Sequence, residues 1–234
     1  TKDQARYQRD RQELLADDRP LLYQSTENWH TEQITARGAL PRTLREARVL
    51  LLGAGTIGSV VAELLVRAGL RELVLFDPDV VQIGNLTRHT ATLADLGRNK
   101  ATAVADRLRI LSPHARVSPR PLAFPPLGAE DVALAAGCDL VLDATGDNAV
   151  LKGLADFSFA GPRTFVSLSL TYGARFLFAY SVTGRRFPVD DFHAEYARYR
   201  PRFKASEAES ELPGEVVRGC WHPIFPARVE DVWL

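Results

Sequence analysis

The apolar run Arg48-Val49-Leu50-Leu51-Leu52 passes straight into Gly53-Ala54-Gly55-Thr56-Ile57-Gly58, and an amphipathic segment follows. Strand, glycine turn and helix in that order commit the chain to a βαβ unit, because glycine lets the backbone turn tightly and lets a ligand approach it. The first N–H groups of the helix then face outward with the positive end of its dipole behind them, a ready site for phosphate. Gly69 is expected to close this helix as a left-handed cap, with Leu64, Leu65 and Ala68 continuing its apolar face. Glu72-Leu73-Val74-Leu75-Phe76 reads as the second strand. Asp77 follows at its end, where a carboxylate accepts hydrogen bonds from ribose hydroxyls.

The alternation continues along the chain. Lys100 to Leu111 reads as a helix with Ala101, Val104, Ala105 and Leu108 on one side, stopped by Pro113. Asp139 to Asp143 is a buried strand, and residues 164–182 read as two strands around Tyr172-Gly173. The expected fold is α/β: a Rossmann-like, doubly wound, mostly parallel sheet with helices on both faces and added antiparallel strands near the C-terminus. One domain is expected over 1–234. Within it, residues 1–45 form a helical N-terminal arm too polar for its own core, and 46–183 form the nucleotide-binding core. Residues 184–219, charged and carrying Pro188, Pro201 and Pro213, read as a mobile crossover loop, and 220–234 as a C-terminal segment that looks interrupted.

Charge narrows the partners. The 29 basic residues balance 29 acidic ones, so no whole-chain positive field holds a nucleic acid or an anionic membrane, and an anionic ligand must be gripped locally. No apolar run approaches the roughly 18 residues of a spanning helix, and Thr1-Lys2-Asp3-Gln4-Ala5-Arg6 lacks the apolar stretch of a signal peptide, so a cytoplasmic location is expected. Two cysteines, Cys138 and Cys220, are too few for a four-thiolate zinc site.

The glycine loop alone leaves the nucleotide open. A dinucleotide carries two phosphate charges, which a helix end and amides manage unaided, whereas ATP carries about four and asks for cations and a metal. Asn85-Leu86-Thr87-Arg88-His89 follows the second strand and Lys100 opens the next helix, which places two cations on the carboxyl edge of the sheet. Together they favour a triphosphate.

Here a resemblance becomes specific. Asp77-Pro78-Asp79-Val80-Val81-Gln82-Ile83-Gly84-Asn85-Leu86-Thr87-Arg88 resembles the D-x-D-x-V-x-x-x-N-L-x-R signature of the E1-like superfamily, which includes ThiF, MoeB and the ubiquitin-activating enzymes. Lys100 matches that family's following lysine, Leu111-Ser112-Pro113 its helix-ending L-N-P, and Asp143-Ala144-Thr145-Gly146-Asp147-Asn148 its D-x-T-D-N turn. Arg6-Tyr7-Gln8-Arg9-Asp10 is similar to its N-terminal R-Y-x-R-Q. Two departures stand out: Gly146 is inserted before Asp147-Asn148, which leaves Asp143 and Asp147 both open as the metal ligand, and His89 replaces the usual Gln.

The resemblance implies ATP with Mg2+, and adenylation of the C-terminal glycine carboxylate of a ubiquitin-like or sulfur-carrier protein by a homodimer. It implies that Gly53, Gly55 and Gly58 hold phosphates and that Asp77 binds the ribose, within a nucleotide site that also takes in Asp79 and Asn148. Asn85, Arg88 and Lys100 would neutralise the triphosphate, Asp147 would hold magnesium, and Arg9 would reach the γ-phosphate of a neighbouring subunit. Some members also pass the acyl group to a cysteine beside a crossover loop. Cys220, in Gly219-Cys220-Trp221-His222-Pro223, is the candidate, with transfer onward to an E2-like partner, while Cys138 reads as core. That string also looks like E1-like domains of bacterial ubiquitin-like conjugation operons, some of them fused to an E2-like domain. Three other readings are kept: an NAD-dependent Rossmann oxidoreductase, a non-catalytic E1-like partner, and a tRNA threonylcarbamoyladenosine dehydratase, against which zero net charge counts.

Overall fold

A computed structural model describes residues 2–14, 16, 24–171, 174 and 176–208. Six strands make one sheet: β1 (Arg48–Leu52), β2 (Glu72–Phe76), β3 (Arg116–Arg120), β4 (Leu140–Asp143), β5 (Arg163–Leu170) and β6 (Leu177–Gly184), in the order β3-β2-β1-β4-β5-β6. All neighbours are parallel except β5 and β6, which pair antiparallel from Arg163↔Gly184 to Leu170↔Leu177. The antiparallel addition expected near the C-terminus is present as the pairing of β5 with β6, the last strand among the described residues. Strand order reverses between β1 and β4, and a ligand in such a sheet sits in the crevice outside the carboxyl ends at that switch point.

Helices cover both faces, and the period-2 alternation of β1 sends its side chains to two separate cores. Val49 and Leu51 pack with Ala62 and Val66 of α4 (Thr56–Arg67) and with Val104, Ala105 and Leu108 of α5 (Lys100–Leu111). Leu50 and Leu52 join the opposite core with Ala135 of α6 (Ala129–Ala136) and Leu151 and Leu154 of α7 (Asn148–Asp156). Rings run through that second core in edge or tilted contact, from Phe76 through Phe124, Phe157, Phe159 and Phe165 to Phe187. The expected face of α5 is buried as read, and Gly69 has φ +97°. Leu64 departs from the reading. It is 60% exposed, because the side of α4 that meets the sheet carries Gly58, Ser59, Ala62 and Val66.

The segment 184–219 is also corrected where it is described. Instead of a loop, a helix, α8, spans Val189–Ala208. Phe192, Tyr196, Tyr199 and Phe203 recur at helical spacing and pack around Phe178 of β6. Pro201 lies inside this helix but is exposed, so the bond it forfeits is lost on the solvent side.

The N-terminal arm divides in two. The helix α1 (Lys2–Leu14) buries none of its residues. Residues 29–47, with the short helices α2 (Thr31–Ile34) and α3 (Arg42–Glu46), dock on the core: Leu40 N–H donates to Ala68 O (2.8 Å), Arg71 N–H to Arg45 O (3.2 Å), and the His114 ring meets Trp29 O. No helix among the described residues is long and apolar enough to cross a membrane.

Candidate functional site

The carboxyl ends of β1, β2, β4 and β5, the start of α7 and one side of α8 enclose a cleft of about 1280 Å³. Its floor is the glycine loop. Gly53 sits at φ +86°, a conformation L residues rarely adopt, and continues the β1–β2 ladder by donating to Phe76 O (2.8 Å). Gly58 does not line the cleft. A Cβ there would lie 1.9 Å from Gly53 O, so this glycine lets α4 close onto the loop instead of touching a ligand. Gly55 does line it, and a Cβ on Gly55 would meet open space. Gly55 is also the N-cap of α4, and no side chain caps that end. The first amides of a twelve-residue helix thus face the cleft with the dipole behind them.

Two side chains hold the loop. The buried Asp77 accepts from the Ala54 amide (2.7 Å) and the Asp79 amide (2.8 Å), leaving each oxygen a second lone pair. Burial pushes its carboxyl up, and the two amide bonds pull it back. His89, also buried, meets Ala54 O at 2.5 Å through Nε2 and accepts from the Ala91 amide at 2.9 Å through Nδ1. Burial holds its pKa below the ordinary histidine value.

On the β2 side, Lys100 opens α5 and its Nζ lies 2.9 Å from Asp79 Oδ2. Asn99 puts it there. As N-cap it accepts from Thr102 N–H (3.1 Å), while its Nδ2 donates to Asp77 O and Asp79 O, both at 2.9 Å, tying the helix start to the strand end. Asn85 lines the cleft, its Oδ1 accepting from Gln82 N–H (2.9 Å). Arg88, half-buried, donates its amide to Asn85 O (2.9 Å), but its residue is not part of the cleft wall. Arg9 lies on α1 and is not part of that wall.

Across the loop, β4 ends in Asp143, which is buried and accepts from Thr145 N–H (3.1 Å), Thr145 Oγ1 (2.6 Å) and Ser167 Oγ (2.8 Å). Burial raises its pKa against those bonds. Gly146, at φ +63°, turns the chain so that Asp147 becomes the exposed N-cap of α7, accepting from Ala149 N–H (2.7 Å). Asp147 and Asn148 both line the cleft. Among the described residues no three acidic, histidine or cysteine side chains gather as a metal cluster.

The cleft therefore joins Gly53, Gly55, Asp77, Asp79, Asn85, Lys100, Asp147 and Asn148. It leaves Gly58, Arg88 and Arg9 outside its wall, and Cys220 lies outside the described residues. Reading the sequence missed Asn99 and Ser167 altogether and noted His89 only as a departure. Asn99 had a signal, an N-cap residue immediately before a helix.

The ThiF family model matches residues 30–211. Over 226 residues, 96% of this chain and 37% of the other, the sequence is 37% identical to the ATP-dependent ubiquitin transferase-like protein Cap2 of Enterobacter hormaechei. It is 36% identical to molybdopterin-synthase adenylyltransferase of Escherichia coli over 53% of this chain and 49% of that one. It is 29% identical to tRNA threonylcarbamoyladenosine dehydratase 1 of Saccharomyces cerevisiae over 41% of this chain and 23% of that one. The chain spans about half or less of the length of these relatives.

Proposed function

The chain belongs to the ThiF family, and from that membership we propose that it adenylates the C-terminal carboxylate of a ubiquitin-like or sulfur-carrier protein with ATP. The observation that carries this reading is one cleft holding an uncapped helix start over a glycine loop, a lysine at one wall and an exposed aspartate at the other. A nicotinamide enzyme needs the first of these and has no use for the other two.

The chemistry follows from charge. The carrier carboxylate attacks the α-phosphorus, forming the acyl–oxygen–phosphorus bond of the adenylate, and the bond to the β-phosphate breaks to release pyrophosphate. Two anions must meet, yet among the described residues the cleft wall carries Asp77, Asp79, Asp143 and Asp147 against the single ammonium of Lys100. Positive charge must therefore be added or freed for the reaction. The α4 amides supply part of it. Lys100 supplies more when its ammonium turns from Asp79 to phosphate, a short move because the pair already lies at the cleft. Arg88, next to the wall, and Arg9 from a second subunit are the further cations this reading requires. Asn85 and Asn148 orient phosphate oxygens, and the spare lone pairs of Asp77 receive the ribose hydroxyls.

Magnesium fits the site as the remaining counter-charge: one or two of these carboxylates together with phosphate oxygens would hold it, and it would supply charge neutralisation to the phosphates. Asp147 is the carboxylate that suits it, being exposed with one oxygen on the Ala149 amide, whereas Asp143 is buried and accepts three hydrogen bonds from Thr145 and Ser167.

A second step, thioester formation on Cys220 and delivery to an E2-like acceptor, is proposed from the sequence. Cys138 is no rival, because burial pushes its thiol up to about 12 and leaves little thiolate at neutral pH.

The test is ATP–pyrophosphate exchange with carrier proteins ending in glycine. Exchange that depends on the carrier and disappears in Lys100→Ala is expected. Exchange untouched by Lys100→Ala would overturn the reading, and turnover that requires tRNA in place of a carrier would move the protein to the dehydratase branch. For the second step, a reducible carrier adduct should vanish in Cys220→Ala and persist in Cys138→Ala.

A further inference from the structure

The ring of His89 is bonded on both nitrogens, and its partners fix its protonation. The Ala91 amide can only donate, so Nδ1 accepts, at 2.9 Å. The ring proton therefore sits on Nε2 and is donated to Ala54 O at 2.5 Å. From the other side Asp77 Oδ2 accepts the Ala54 N–H at 2.7 Å. The two successive peptide units around Ala54 are thus held from opposite directions, immediately before the uncapped start of α4.

We propose that His89 is a positioning residue of the nucleotide site: as the neutral Nε2–H imidazole it fixes the glycine loop so that the α4 amides meet phosphate, and it releases the loop on taking a second proton. The inference rests on the nucleotide reading above and adds a residue that reading does not use. In the imidazolium, Nδ1 also carries a proton and would point it at the Ala91 N–H, 2.9 Å away, so two donors would oppose each other and one side must move.

The surroundings decide when that happens. Lys100 of α5 opposes the second proton, and Asp95 of the turn at Leu93–Asp95 favours it. Asp77 stands beyond the Ala54 peptide and Arg88 is the chain neighbour, while the contact from α4 to this segment is the uncharged Ser59, whose Oγ meets the Thr90 amide. Burial is the largest influence and also opposes charging. His89 is therefore neutral at pH 7 and charges only below the ordinary histidine range of about 6.5.

The experiment compares wild type, His89→Ala and His89→Gln. The glutamine amide offers an N–H at the reach of Nε2 and does not titrate. Two readings are taken: backbone hydrogen exchange across residues 53–60 without nucleotide at pH 7.5, and affinity for a non-hydrolysable ATP analogue from pH 5.5 to 8.0. Loss of one net hydrogen bond predicts faster loop exchange and roughly 3- to 10-fold weaker binding in His89→Ala. Wild-type affinity should fall on acidification, at a pH below the ordinary histidine value, while His89→Gln stays level. An unchanged loop exchange in His89→Ala, or the same acid fall in His89→Gln as in wild type, would overturn the role of His89 and leave the nucleotide reading standing. Failure of wild type to bind the analogue at any pH would sink the nucleotide reading itself.

Discussion

One motif holds glycines with opposite duties. Gly58→Ala drives a Cβ to 1.9 Å from a backbone oxygen that cannot swing aside, so we expect a loss of about 2–4 kcal/mol in urea unfolding. Gly55→Ala adds its Cβ to open space at a φ of −77°, so the midpoint should stay within about 0.5 kcal/mol while ATP affinity collapses because the methyl stands where phosphate must approach. Equal destabilisation by both would refute the division. The two aspartates separate by the same logic. Asp147→Asn keeps a good N-cap and should fold normally but demand far more magnesium for exchange activity. Asp143→Asn sets an NH2 among donors already spent on that carboxylate, and should lower the melting temperature by several degrees. At this scale the sequence was legible where a residue's place at the cleft is set locally. The glycine loop, Asp77 and Lys100 lie within motifs whose spacing carries their meaning. His89, Asn99 and Ser167 were not, because their partners Ala54, Asp77 and Asp143 lie 35, 22 and 24 residues away and become neighbours only through strand order.

Elements were read well where one periodicity ruled and poorly where two signals competed. The strands at 48–52 and 72–76 and the helix at 100–111 are present as read, since each is a clean apolar run or a four-residue apolar face bounded by glycine or proline. For α8, proline and charge argued for a loop while Phe192, Tyr196, Tyr199 and Phe203 argued for a helix face, and ring burial against β6 won. Phe192→Ala should accordingly cost about 3–5 kcal/mol, read as a lowered urea midpoint, whereas a loop residue would cost almost nothing. The opposite end of the sheet carries another element-scale device. In register across the strand starts lie Arg116, Glu72 and Arg48, with Asp139 and Arg163 continuing the row, so the charges alternate. Glu72 pairs with Arg48 at 2.9 Å and also with Arg116, and both hold its carboxyl below the ordinary range. A depressed acid stabilises the fold above its unfolded value near 4.3 and loses that contribution as pH falls through the lower folded value. With arginines this exposed the row is worth roughly 0.5–1 kcal/mol. Glu72→Gln should lose that amount at pH 7 and show a shallower fall in stability below pH 4.5 than wild type.

For the molecule as a whole the unresolved account is electrostatic. Among the described residues one chain brings four carboxylates and one ammonium to the cleft wall, an arrangement that repels a triphosphate. The same chain carries α1, a thirteen-residue helix that buries nothing and bears Arg9, which is not part of its own cleft wall. A helix this short and polar gains little from its own hydrogen bonds in water, so its persistence calls for a surface to lie on. If a second copy supplies that surface, its own cleft deficit and the idle arginine of its neighbour answer each other, and a closed two-fold pair satisfies both sites at once. Complementation decides it. Arg9→Ala and Lys100→Ala chains should each lack pyrophosphate exchange alone. Mixed in equal amounts and allowed to reassort, half the dimers are hybrid and each hybrid has one complete site, so about a quarter of wild-type activity should return. A mixture as inactive as its components would mean that Arg9 does not serve a neighbouring cleft, and the missing positive charge would have to come from Arg88 and the metal alone.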